Sequence, residues 1–159
     1  MCQLIQGVRW KKVVLGGFIS LVIAIVIRQI EAMLTMDYYK MPELFGVWSK
    51  LMMPETGLPG TEMVQRPPGA EFFLVSILSA FLSGVTLAAL YEIIKDKLET
   101  GTWKRALNFT CFTVWLGIIF FTLPTILLIN LPLELLGIWL ISTAIILFLS
   151  SLVFGKILK

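Results

Sequence analysis

A chain of 159 residues with 58% hydrophobic and 14% charged side chains is too apolar for an ordinary soluble domain, which carries roughly 25% charged residues. Histidine is absent, which excludes histidine-ligated haem, the common zinc sites and histidine acid–base catalysis within the chain. The net charge of +3 gives no support for nucleic-acid binding, and Cys2 and Cys111 are too differently placed for a disulfide or a thiolate metal site, so no cofactor is expected.

Four apolar runs of near-spanning length predict an all-α fold, a bundle of four transmembrane helices in a single membrane domain covering 1–159. The first span is read over 13–36. Its apolar part, Val13–Ile27, covers only about 22 Å, so the helix must carry Arg28, Gln29 and Glu31 into the membrane to cross a core of roughly 30 Å. The run begins after Arg9, Lys11 and Lys12 as a signal peptide does. It is too long for one and lacks a small-residue cleavage site, so it is read as a retained helix.

Residues 41–53 carry Leu44, Phe45, Trp48, Leu51 and Met52 at helical spacing. Pro42 and Glu43 suit a first turn and Pro54 stops the helix, which predicts an amphipathic helix lying in the outer interface. Residues 54–70 hold Gly57, Pro59, Gly60, Pro67, Pro68 and Gly69 and read as an irregular loop, either a lid or a connector.

The second span, 72–94, repeats Ser76, Ala80, Gly84 and Ala88 every four residues, one small-residue face on which a neighbouring backbone can sit closely. Gly16, Ser20 and Ala24 form a matching stripe on the first helix, and the second helix is expected to be the central packing element. The third span is 106–129, with a kink expected at Pro124. The fourth is 133–154, joined to the third by the tight turn Asn130–Pro132, so the two form an antiparallel hairpin. Arg9, Lys11, Lys12, Lys95, Lys97, Lys104, Arg105, Lys156 and Lys159 cluster at one set of helix ends, against Lys40, Lys50 and Arg66 at the other. The positive-inside rule then places both termini in the cytoplasm.

The segment Tyr38–Met52, with an aromatic pair, a proline, Leu44-Phe45-Gly46 and Trp48, resembles a signature of small bacterial four-helix integral membrane proteins of unknown function. Trp115, Leu123-Pro124 and Trp139 extend the likeness, and residues 55–66 depart from it as an insertion. The resemblance implies a bacterial inner membrane and the same topology. It supplies no activity.

Arg28 is the first candidate for function, because a charge inside a spanning helix usually faces the bundle interior or a wet cavity. Glu31 is one turn away, and Glu134 opens the fourth helix at the same outer level as a second candidate partner. Together with Tyr38 and Trp48 they outline a pocket gripping an anionic headgroup or small molecule. The plainer accounts are a snorkelling arginine or a structural ion pair, and an aromatic belt formed by Tyr38, Tyr39, Trp48, Phe72 and Phe73. No nucleophile–base pair or phosphate loop is visible. The reading is a non-enzymatic integral membrane protein that binds a lipid or hydrophobic small molecule at its outer face, or serves as an accessory subunit of a membrane complex. The alternatives are a small transporter or channel working as a homo-oligomer, and a membrane enzyme acting on lipid or quinone through Glu31, Glu134 and Tyr38.

Overall fold

The computed structural model describes residues 7–39, 41, 55–56, 64–65, 69–129 and 131–158. Four helices are each long and apolar enough to cross a membrane. Helix α1 runs Trp10–Tyr39 and α2 runs Ala70–Ile94, continued by a 3-10 turn at Lys95–Lys97. Helix α3 begins at Thr102, passes through a π-helical turn at Ile118–Thr122 and ends at Leu128, and α4 is Leu133–Ile157. Two short strands, β1 (Glu55–Thr56) and β2 (Val64–Gln65), pair antiparallel in the connection between α1 and α2. The expected interfacial helix over 41–53 lies outside the described residues apart from Met41, which is not helical.

The local chemistry accounts for the ends. Glu71 and Glu134 sit in the first turns of α2 and α4, where the helix dipole favours an anion, and Lys156 sits in the last turn of α4, where it favours a cation. Gly101, at φ 106°, redirects the chain between α2 and α3 through a left-handed conformation that a residue with a Cβ adopts only under strain.

Helices α1 and α4 form the middle of the bundle. α1 packs against both α2 and α4, α3 packs against α4, and α2 barely touches α4. This corrects the expectation that α2 is the central element. A small-residue stripe signals how closely one neighbour approaches, not how many neighbours a helix has.

The stripes themselves do meet. A Cβ built on Gly84 would lie 2.7 Å from the Gly17 carbonyl oxygen and 3.1 Å from the Ser20 Cβ, and one on Gly16 would lie 3.4 Å from the Ala88 Cβ. The tightest contact is at Gly17, whose missing Cβ leaves room for the backbone nitrogen of Val85, 2.7 Å from that position. Helices in lipid gain little from hydrophobic association, so this backbone-to-backbone approach is a main source of α1–α2 cohesion. Ser20 adds a hydrogen bond across to Ser150 of α4 at 2.8 Å. Such bonds contribute roughly 0.6 kcal/mol on average within membranes.

The seam closes over only half its length. The buried residues of α2 are Gly84, Ala88, Tyr91 and Glu92, all toward the end that bears the described chain termini (the terminal end). Ser76, in the stripe but nearer the opposite end, is exposed. The same terminal end holds the main apolar cluster of Val13, Ala88, Tyr91, Phe109, Phe154 and Leu158. The Tyr91 ring meets Phe109 edge-on at 5.2 Å and Phe154 at 5.8 Å.

An ionic staple closes this end. Arg9 grips Glu92 through two N–H groups, at 2.7 and 3.2 Å, and also donates to the Leu158 carbonyl. Lys95 reaches the same carboxylate at 3.0 Å and the same carbonyl at 2.6 Å. The hydrogen bond to Glu92 raises the Arg9 pKa above its already high ordinary value, so the staple's cation stays charged. Glu92 is buried, and through Arg9 and Lys95 its carboxylate is linked to the Leu158 carbonyl, so the staple joins the start of α1 and the end of α4 to α2.

Within the cluster the Tyr91 hydroxyl is buried with no hydrogen-bond partner among the described residues. An unpaired buried hydroxyl costs about 1–3 kcal/mol. Tyr91→Phe is therefore expected to raise stability by about 1 kcal/mol, read as a higher melting temperature in detergent. An unchanged or lower value would mean the hydroxyl is satisfied.

Candidate functional site

At the opposite end, where residues 40–69 connect α1 to α2 (the loop end), the bundle is looser. Helices α1 and α4 stay in contact there, with Thr35 and Leu135 fully buried, while the first half of α2 has no buried residue. The contact of α3 with α4 is carried by its first segment, Thr102–Gly117, and weakens beyond the π turn. Pro124 explains the change. Its nitrogen carries no hydrogen, so one carbonyl of the preceding turn loses its helical donor and the hydrogen-bond register widens. The expected distortion at Pro124 thus takes the form of a π turn one step earlier.

The divergence leaves a cavity of about 340 Å³ lined by all four helices. Its apolar wall includes Phe72, Phe121, Leu136 and Trp139, with Gly117 opening the α3 side. Its polar wall is Arg28 and Glu31 of α1, Tyr39 at the end of α1, and Thr113, Thr122 and Thr143.

Arg28 and Glu31 are one helical turn apart, and their side chains form an ion pair. Arg28 Nη1 donates to Glu31 Oε2 and, at 3.1 Å, to Ser142 Oγ, and Nη2 donates to Thr143 Oγ1 at 2.9 Å. The Ser142 hydroxyl lies 3.0 Å from the Trp139 carbonyl and donates to the same Glu31 oxygen. The carboxylate is 7% exposed and the guanidinium side chain 44%. Glu31 is thus the buried anchor, and Arg28 is the open member of the pair. A guanidinium has five N–H donors. The Nε–H and one Nη2–H of Arg28 have no partner among the described residues.

Depth explains the meeting. Arg28 lies eleven residues before Tyr39, about 16 Å along α1, and Ser142 lies nine residues after Leu133, about 14 Å along α4. Both points fall in the loop-end half of a core roughly 30 Å thick. A lone arginine at the membrane centre costs about 2.5–3.5 kcal/mol to insert, and the paired carboxylate and two hydroxyls offset much of that.

The other predicted residues fall elsewhere. Glu134 does not pair with Arg28; it accepts a hydrogen bond from the Tyr38 hydroxyl at 2.7 Å, a second and separate pair nearer the loop end. Glu31 thus pairs with Arg28 and Glu134 with Tyr38, so Glu31, Glu134 and Tyr38 do not form one acid–base cluster. Trp48 lies outside the described residues. Phe72 lines the cavity, whereas its neighbour Phe73 is exposed. Trp139 lines the cavity and Trp115, 64% exposed, faces outward. Thr113 bonds back to the Phe109 carbonyl at 2.8 Å. Among the described residues no group of three or more metal-ligating side chains lies together.

No protein-family model matches the chain, and no curated protein or solved structure shows significant similarity to it. The expected likeness to small bacterial four-helix membrane proteins finds no support in these comparisons.

Proposed function

We propose that this integral membrane protein binds a lipid or hydrophobic small molecule in the loop-end cavity, with the terminal end facing the cytoplasm. The supporting observation is the cavity itself, about 340 Å³ with apolar walls and one open guanidinium. Small-molecule sites have this character: concave, mostly apolar, of roughly 300–1,000 Å³, with few polar groups that fix orientation. The volume suits a small ligand, or one chain and linkage of a larger lipid. The basic bias of the terminal end, with Lys11, Lys12, Lys97, Lys104 and Lys156 there, supports the orientation.

Gly117 offers the cleanest test. It lines the cavity, and a Cβ built on it meets nothing within 4 Å. Gly117→Phe is expected to occupy the space a ligand needs without displacing any helix. Lipid retained by the purified chain, measured by extraction and mass spectrometry, should fall at least tenfold while the melting temperature holds. Equal retention by both forms would mean the cavity is not the binding site.

A further inference from the structure

The charge of the cavity wall narrows the ligand class. Arg28 is the cationic group on that wall, and Glu31 already neutralises it. The described helix ends around the loop end carry acidic residues and no basic one: Asp37 closes α1, Glu71 opens α2 and Glu134 opens α4. An anion entering this site would leave one uncompensated negative charge in surroundings of low dielectric, which is strongly disfavoured. To be charge-compensated it would have to displace Glu31, which is held by Ser142 as well as by Arg28. What Arg28 does offer is two N–H donors without net charge, beside the hydroxyls of Thr113, Thr122 and Thr143.

Given the binding reading above, we infer that the cavity selects an uncharged amphiphile that presents a carbonyl oxygen to the uncommitted N–H groups of Arg28, and that it discriminates against anionic lipids. This narrows the pocket read from the sequence, one gripping an anionic headgroup or small molecule, to an uncharged ligand. Two natural chemistries share the feature, the ester carbonyl of a neutral diacylglycerol and the ring carbonyl of an isoprenoid quinone.

The test is a titration of the full-length chain in a neutral detergent with dioleoylglycerol, an isoprenoid quinone and dioleoylphosphatidate, each followed by native mass spectrometry. At least one of the two neutral ligands is expected to bind ten times or more tightly than phosphatidate. Binding of the diacylglycerol alone assigns the ester, and binding of the quinone alone assigns the ring carbonyl; either supports the inference. Arg28→Gln should lower that affinity about tenfold, and Glu31→Gln should reverse the order in favour of phosphatidate. The unaltered chain decides the charge question even if a variant fails to fold. Tighter binding of phosphatidate by the unaltered chain overturns the inference and leaves lipid binding standing. Binding of none of the three overturns both.

Discussion

Replacing Gly84 by leucine is expected to force α1 and α2 apart and to cost about 3 kcal/mol, the upper part of the range for overpacking a tight interface. A Cβ at Gly84 falls 2.7 Å from a backbone oxygen and 3.3 Å from a backbone carbon of Gly17, so no rotamer change relieves it. Gly84→Ala meets the same atoms and should cost about 1–2 kcal/mol. Gly137 supplies the control: it lies inside α4 with nothing within 4 Å of a built Cβ, so Gly137→Ala should be neutral or stabilise by up to about 1 kcal/mol. Unfolding in mixed micelles with increasing SDS gives all three values. Equal effects at Gly84 and Gly137 would show that the seam does not hold the helices together.

The second large effect lies at the ion pair. Arg28→Met strands the Glu31 carboxylate, 7% exposed, without its cation, and should cost about 3–5 kcal/mol. Glu31→Leu strands a guanidinium that is nearly half exposed, and its cost should be smaller, about 2–3 kcal/mol. The double substitution Arg28→Met with Glu31→Leu removes both charges together and should return to within about 1 kcal/mol of the unaltered chain. The same SDS unfolding assay measures the cycle. Additive losses would mean that the two side chains act independently and that the pair does not form in the membrane.

The sequence shows the fold more completely than the site, for a physical reason. Spanning helices are set by local hydrophobicity, so four apolar runs sufficed to find α1 to α4. The facing of Gly16 and Ser20 toward Ala88 and Gly84 was likewise readable from four-residue spacing. Gly17 was missed because a search along one row of the helix surface ignores the adjacent row, and a crossing backbone touches both. The pairing of Arg28 with Ser142 and Thr143 joins residues more than a hundred positions apart, which no spacing rule reports. Depth was the available signal: two adjacent hydroxyls about 14 Å into α4 stand level with an arginine about 16 Å into α1. Glu134 reads as a second candidate partner of Arg28, after Glu31, because both lie toward the loop end. The structure separates them by more than two turns along the bundle, and Tyr38 takes Glu134 instead.

The looseness of the loop end was the least legible feature. Serine, alanine and glycine continue along α2 past Gly84 toward Ser76, and composition alone extends the seam the whole way. What opens it is the combination of a polar cluster held between α1 and α4 and a proline-dependent π turn that leads α3 away. The cavity is a product of that packing. Its lining is drawn from four helices, with no motif in any one of them.

The most direct test of the account is photo-crosslinking in lipid nanodiscs with a lipid whose acyl chain carries a diazirine, mapped by peptide mass spectrometry. Adducts are expected to concentrate on Gly117–Thr122 and Trp139–Thr143 and to be lost from both in Gly117→Phe. Adducts spread evenly over the outward-facing Leu74, Leu127 and Leu128 and unchanged by that substitution would contradict a lipid-binding cavity at the loop end.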